Sequence, residues 1–194
     1  MLSRTEIAHG VSGAWRLMWG DGGGLYMLDR TREGFWRSFR VALLVAPLQA
    51  LCSLIAYQRI DTVASDNLII LVEALRYIIE WTAFPVVLLE IARRTAWSQR
   101  YIGAVVAMNW ANLPMMVLWT MTVAVGEVAP TWLGDGLSLV LTVMGVYWLT
   151  RILRGSLSTG VGQAIALALL NLWISVTLFI IVGNVIGRLP GTPG

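Results

Sequence analysis

Five apolar segments, each close to the length that a helix needs to cross a lipid bilayer, dominate the chain. An α-helix rises ~1.5 Å per residue, so about 20 apolar residues cross the ~30 Å hydrocarbon core of a membrane. The segments run from Phe39 to Tyr57, from Leu68 to Ile91, from Tyr101 to Val125, from Trp132 to Leu153 and from Gln163 to Ile186. This pattern predicts an all-α integral membrane bundle of five transmembrane helices.

The composition agrees with a membrane protein and excludes several kinds of chemistry. Of the 194 residues, 57% are hydrophobic and 13% are charged, whereas soluble domains are about half apolar and about a quarter charged. Every basic side chain is an arginine, which excludes a lysine-dependent phosphate loop or Schiff base. The lone His9 and the lone Cys52 cannot form a metal cluster or a disulfide within the chain. We therefore expect no catalytic residue, no metal, no cofactor and no nucleic-acid partner.

The arginines predict how the chain is threaded through the membrane. Cytoplasmic segments retain arginine during insertion. Eleven arginines fall before or at the start of the first segment and at or after the ends of the second and fourth segments, whereas Arg59 and Arg188 fall on the opposite side and Arg76 lies within a helix. We expect a cytoplasmic arm at 1–38, a five-helix bundle at 39–187 and a short disordered tail at 188–194. The predicted location is a bacterial inner (cytoplasmic) membrane, with the N-terminus in the cytoplasm and the C-terminus in the periplasm.

The arm is predicted to form an amphipathic helix on the inner membrane surface. Ile7, Val11, Ala14 and Met18 recur at helical spacing, which suits a helix at the lipid interface. The glycine run within 20–24 is interpreted as a flexible joint before a second, aromatic and arginine-rich piece. We expect the arm to contact anionic lipid headgroups, another membrane protein or a second copy of the chain. The expected contact residues are Trp15, Arg16, Arg30, Arg32, Trp36 and Arg37.

The second apolar segment carries ionisable residues near its middle. Glu73, Arg76 and Glu80 fall on one side of a helix, where one arginine can pair with both carboxylates. Glu80 lies close to the expected bilayer midplane, where an isolated charge costs several kcal/mol. Asparagines of other segments are expected to complete one intramembrane polar cluster. Its members are Glu73, Arg76, Glu80, Asn109, Asn112 and Asn171.

Three prolines fall inside the predicted helices, at Pro47, Pro85 and Pro114. Each predicts a kink, because proline cannot donate a backbone hydrogen bond to the preceding turn. Pro85 follows Glu80 by five residues, so a kink there would expose backbone polarity beside the carboxylate.

Two stretches, MNWANLP (108–114) and WLTRILRGSLSTGVGQAIALAL (148–169), carry a resemblance to a known family. The first is similar to the Gly-Tyr stretch ending in proline, and the second to the fourth-to-fifth span connection, of bacterial Yip1-type membrane proteins. The family's Asp-Leu-x-Gly-Pro signature has only a loose counterpart, EWTAFP (80–85). The resemblance implies five spans, a cytoplasmic arm and an accessory role or one in membrane organisation, without an assigned chemistry.

The polar cluster is open to three interpretations: a packing contact between helices, a pathway for protons or a solute, and a partner-binding face. Short connections and scarce catalytic residue types favour a non-enzymatic accessory or scaffolding subunit of a membrane complex. The alternative is a small transporter or channel with Glu80 as a mid-membrane protonatable site. A water-accessible cavity that reaches Glu80 would favour the alternative, whereas closure of Arg76 and the asparagine face over it would favour a packing role.

Overall fold

A computed structural model describes residues 2–57 and 65–188, and every regular element within these ranges is helical. The elements are α1 (Arg4–Met18), a 3₁₀ helix (Gly22–Met27), α2 (Arg32–Ser38), α3 (Val41–Tyr57), α4 (Asp66–Arg93), α5 (Tyr101–Val128), α6 (Thr131–Leu157) and α7 (Val161–Arg188). The five predicted segments coincide with α3 to α7, and their ends agree to within a few residues. The prediction of an all-helical chain is therefore confirmed for the described residues.

Four helices are long and apolar enough to cross a membrane: α2 and α3 together (Arg32–Tyr57), α5, α6, and α7 as far as Gly187. The helix α4 has 28 residues, but every 18-residue stretch of it contains three or more charged side chains. Length and composition thus support four crossings, and a fifth by α4 stays a prediction. Arg59 and residues 189–194 of the predicted tail lie outside the described residues.

The long helices form a ring with α5 as its best-buried member. Helix α5 packs against α3 and α6, α6 packs against α7, and α7 packs against α4. The ring closes where the Tyr77 hydroxyl of α4 donates a 2.6 Å hydrogen bond to the Ala42 carbonyl of α3. Every residue from Gly103 to Ala111 is buried, because this part of α5 is also covered by the N-terminal arm.

Helix α1 covers the bundle with its apolar face. Ala14, Leu17 and Met18 are fully or almost fully buried, and α1 packs on both α5 and α6. Gly10 permits the closest approach, since a Cβ there would lie 2.2 Å from the indole of Trp110. A helix thus lies where the sequence predicts one, and its apolar residues contact protein. Its contact with lipid stays a prediction.

The glycine run forms an ordered element, which differs from the flexible joint that the sequence predicts. Gly22–Met27 is a 3₁₀ helix, and the Asp21 carboxylate accepts a 2.8 Å hydrogen bond from the Gly23 N–H at its start. Gly24 is buried against α1, where a Cβ would lie 2.2 Å from the carbonyl oxygen of Gly13. Glycine is required here because two backbones touch, a contact that composition alone does not reveal.

The three prolines lie inside helices as predicted: Pro47 in α3, Pro85 in α4 and Pro114 in α5. The Tyr101 hydroxyl, at the start of α5, donates a 3.0 Å hydrogen bond to the carbonyl of Pro85. This bond fastens α4 to α5 one and a half turns beyond Glu80. The kinks themselves stay predictions.

Candidate functional site

An ion-paired triad lies at the centre of α4, as the spacing of its residues predicts. Arg76 donates from Nε and Nη2 to the two carboxylate oxygens of Glu73, at 3.0 and 2.7 Å. Its Nη1 donates to Glu80 at 2.9 Å. The guanidinium thus binds one carboxylate with two parallel bonds and the other with one, and its side chain is only 8% exposed.

Glu73 is also tied to the neighbouring helix α3. The Ser53 hydroxyl donates to one of its oxygens at 2.7 Å, and the Tyr57 hydroxyl donates to the other at 2.9 Å. Sequence reasoning did not identify these two partners. The available signal is that Ser53 and Tyr57 are four residues apart, which places both hydroxyls on one face of α3. These hydrogen bonds fix the triad to α3 and satisfy the carboxylate of Glu73, whose side chain is less exposed than that of Glu80.

A cavity of about 400 Å³ opens beside Glu80, between all five long helices. Its polar lining comes from Glu80 and Tyr77 of α4, Gln49 of α3, Asn109 and Asn112 of α5, Thr142 of α6, and Asn171 and Ser175 of α7. Four of the six residues predicted for the cluster therefore surround one space, while Glu73 and Arg76 lie outside its lining. The residue that sequence reasoning missed on α3 is Gln49, a polar side chain two residues after Pro47.

The asparagines do not close over the carboxylate. Within the described parts of the chain no hydrogen bond joins an asparagine to Glu80, whose hydrogen-bond partner there is Arg76. Asn109 is buried and donates instead to the Ser38 hydroxyl at 2.9 Å, which in turn donates to the Phe35 carbonyl at 2.7 Å. Asn109 thus links α5 to α2, and the predicted single cluster is in fact a triad, a cavity and this separate bond.

The charge of the site is negative. Two carboxylates share one guanidinium, so the triad has a net charge of −1 when all three groups are ionised. Glu80 is the only charged residue among those that line the cavity. Within the described ranges, the space beside Glu80 therefore has a carboxylate in its wall and no cation facing it.

The remaining wall of the cavity is aromatic and apolar. Five aromatic residues contribute to it: Tyr77, Trp81, Phe84, Trp119 and Trp148. Trp148 is buried, and its indole N–H has no acceptor among the described residues. The side of the cavity nearest the arm is completed by Met18 of α1, while Trp15 and Trp19 pack on Trp148 with ring centroids 6.4 and 5.9 Å away.

The residues predicted to contact lipid or a partner lie on the outside of the arm. Trp15 and Trp36 are exposed, the latter at 71%, and Arg30 and Arg32 are exposed beside α2. The two other cations, Arg16 and Arg37, are engaged within the arm itself. Arg16 lies 2.6 Å from Asp21, and Arg37 lies 2.5 Å from Asp29 and 3.4 Å from Glu6.

A second cavity of about 300 Å³ lies between α1, α2 and α5, and it is lined by Glu6, His9, Asp29 and Arg37 among others. Asp29 organises one side of it. Its carboxylate accepts hydrogen bonds from the Thr31 hydroxyl at 2.7 Å and from the Thr31 N–H at 3.0 Å. These bonds and the guanidinium of Arg37 hold the pKa of Asp29 below its usual range.

This lowered pKa predicts that Asp29 stabilises the arm only while it is ionised. A carboxyl whose folded pKa is depressed adds stability above its unfolded pKa, about 3.9, and loses it as the pH falls through the folded value. We expect Asp29→Asn to lower stability at about pH 7 by less than about 1 kcal/mol, because the pair is partly exposed. The difference between variant and wild type should shrink towards about pH 3 in thermal unfolding. A difference that is equal at both pH values would contradict the prediction.

Comparison with protein-family models, with curated proteins and with solved structures found no match. The resemblance to Yip1-type membrane proteins therefore stays a prediction.

Proposed function

We propose that the chain is a non-enzymatic, five-span protein of a bacterial inner membrane that acts as a small transporter or channel, with Glu80 as its protonatable site. The observation that supports this function is the cavity of about 400 Å³ beside Glu80. Small-molecule sites have volumes of about 300–1,000 Å³ and combine an apolar wall with a few polar groups. A helix-packing role alone gives no reason for an open space at the charged centre of α4.

The proposed fifth crossing by α4 requires that its charges be tolerated in lipid. Arg76 neutralises one carboxylate, and hydroxyls of α3 donate to Glu73. Paired charges that face a bundle interior are the form in which membrane helices accommodate ionisable residues. With 28 residues, α4 is about 42 Å long at ~1.5 Å per residue, enough to cross the hydrocarbon core.

The proposed orientation rests on the end of the bundle where the arm lies. A Cβ at Gly103, early in α5, would contact Arg30, and one at Gly155, late in α6, would contact Leu17. The arm and the arginine-bearing ends of α5 and α6 therefore share one end of the bundle. Arginine enrichment favours the cytoplasm for that end, which puts the N-terminus inside and the C-terminus in the periplasm.

The function is tested by proton flux into proteoliposomes that contain a pH-sensitive dye and are driven by a potassium diffusion potential. We expect wild-type flux above that of empty liposomes, and a loss of about tenfold or more in Glu80→Gln, because a neutral amide cannot release a proton. Glu90→Gln is the matched control, since Glu90 is an exposed α4 carboxylate paired with Arg94. Absence of wild-type flux, or undiminished flux in Glu80→Gln, would reject the proposal.

A second candidate, an accessory subunit that holds anionic lipid or a partner through the arm, is favoured by the exposed aromatic and cationic surface there. Tyr26 is 85% exposed and has Arg30 5.8 Å from its ring, and Trp36 is exposed nearby. Aromatic rings beside arginines suit the headgroup region of a membrane. Deleting residues 1–30 would not test this surface cleanly, because α1 is part of the protein core.

Point substitutions on this surface test the role in lipid binding without removing α1 from the core. We expect the double variant Arg30→Gln and Arg32→Gln to retain less cardiolipin in native mass spectrometry, by about tenfold or more, since each arginine near an anionic surface contributes about 1 kcal/mol and a factor of ten corresponds to about 1.4 kcal/mol. Retention of a zwitterionic lipid should not change. Equal cardiolipin retention by the variant and the wild type would rule out this anionic-lipid role.

A further inference from the structure

The cavity beside Glu80 combines a negative charge with aromatic walls, and this combination indicates what it can hold. The triad has one more carboxylate than guanidinium, and no positive side chain lines the cavity within the described residues. An unbalanced charge in an apolar interior is costly. A cation placed beside Glu80 would balance it, whereas an anion would add to the repulsion.

The aromatic rings of the cavity wall also favour a cation as the occupant. Tyr77, Trp81, Trp119 and Trp148 line the same space as Glu80. The face of an aromatic ring attracts a cation, most strongly for tryptophan and most of all when the cation has lost its water. Three methionines of α5, Met108, Met115 and Met116, also line the cavity. Their flexible thioethers adapt to apolar groups of varied shape.

The volume of the cavity indicates the size of the occupant. About 400 Å³ is larger than a bare metal ion requires and fits a small organic molecule. Hard metal cations also need several oxygen ligands, and the described residues contain no group of three or more His, Cys, Asp or Glu suited to a metal ion. The lining amides and hydroxyls are few and dispersed over five helices, which suits orientation of a ligand rather than a coordination shell.

We propose that the cavity binds a monovalent organic cation, an ammonium group with apolar substituents, whose charge lies beside Glu80 and whose apolar part lies against the tryptophan rings. The inference rests on the proposed function, because it names the class of solute that the same cavity would take. In this proposal Glu80 balances the charge of the ligand, and Trp81 and Trp119 form the aromatic wall. Asn112 and Asn171 are the polar groups that orient the ligand.

The test is equilibrium dialysis of radiolabelled benzyltrimethylammonium against the protein in nanodiscs of zwitterionic lipid, with empty nanodiscs subtracted. We expect saturable binding of one cation per chain, weakened about tenfold or more by Glu80→Gln and about threefold or more by Trp119→Leu. Glu90→Gln and Trp132→Leu are the matched controls, since both residues are exposed and outside the cavity. Each variant is first compared with the wild type by gel filtration and thermal unfolding.

An uncharged analogue and an anionic analogue of the label separate recognition of the charge from burial of the apolar part. Neopentylbenzene, which has carbon in place of the ammonium nitrogen, should displace the label about tenfold less well, and phenylacetate should not displace it. Absence of saturable binding, equal binding by Glu80→Gln, or equal displacement by neopentylbenzene would each overturn the inference. Cation binding without any flux would support this inference and reject transport, whereas Glu80-dependent proton flux without cation binding would reject this inference alone.

Discussion

Substitution of Arg76 by methionine is expected to lower the free energy of unfolding by about 3–5 kcal/mol, the cost of leaving a buried charge without its partner. The guanidinium makes three of the hydrogen bonds that hold Glu73 and Glu80. Without it, two carboxylates of like charge remain on one side of α4. The loss is measured by equilibrium unfolding in mixed detergent micelles, monitored by circular dichroism.

The triple variant Glu73→Gln, Arg76→Met and Glu80→Gln separates charge from packing. Since it removes both carboxylate charges, it should recover most of the stability that the single change loses. Arg94→Met is the surface control, because its side chain is 78% exposed and its pair with Glu90 should contribute less than about 1 kcal/mol. If Arg76→Met and Arg94→Met have equal effects, the triad does not stabilise the bundle.

Substitution of Gly24 by alanine is expected to detach the 3₁₀ helix from α1 and to lower stability by about 1–3 kcal/mol, the usual cost of an added group in a packed interior. Its Cβ would lie 2.2 Å from the backbone oxygen of Gly13, which cannot move aside as a side chain could. Because trypsin cleaves only where the backbone can open locally, we expect faster cleavage after Arg16, read by mass spectrometry.

The same glycine run contains the control for this change. A Cβ at Gly22 would meet nothing within 4 Å, so Gly22→Ala should cleave at the wild-type rate. Comparable acceleration in both variants would show that the effect does not depend on the contact with Gly13.

The long helices could be predicted from sequence because their signal is local. A run of apolar residues bounded by turn residues defines α5, α6 and α7 without reference to the rest of the chain. The pairing of Arg76 with Glu73 and Glu80 is equally local, since spacings of three and four residues bring side chains together on any helix.

The partners of these residues in other helices could not be predicted in the same way. Nothing local relates Glu73 to Tyr57, or Asn109 to Ser38 on α2, because such contacts depend on which helices become neighbours. The position of α1 was also beyond sequence reasoning, since an apolar stripe has the same pattern whether it faces lipid or protein. A signal that could have indicated the position of α1 is the pair Gly10 and Gly13, small residues that let a helix approach its neighbours closely.

The docking of α1 has a consequence for the order in which the protein is assembled. The arm leaves the ribosome before the helices that it covers, because chains are made and begin to fold from the N-terminus. Its binding surface, however, includes Trp110 of α5 and Trp148 of α6, which are synthesised much later. The apolar face of the arm therefore stays uncovered until α5 and α6 have been made. The arm can dock only after α6 has formed, and Met18 enters the wall of the cavity beside Glu80 only then.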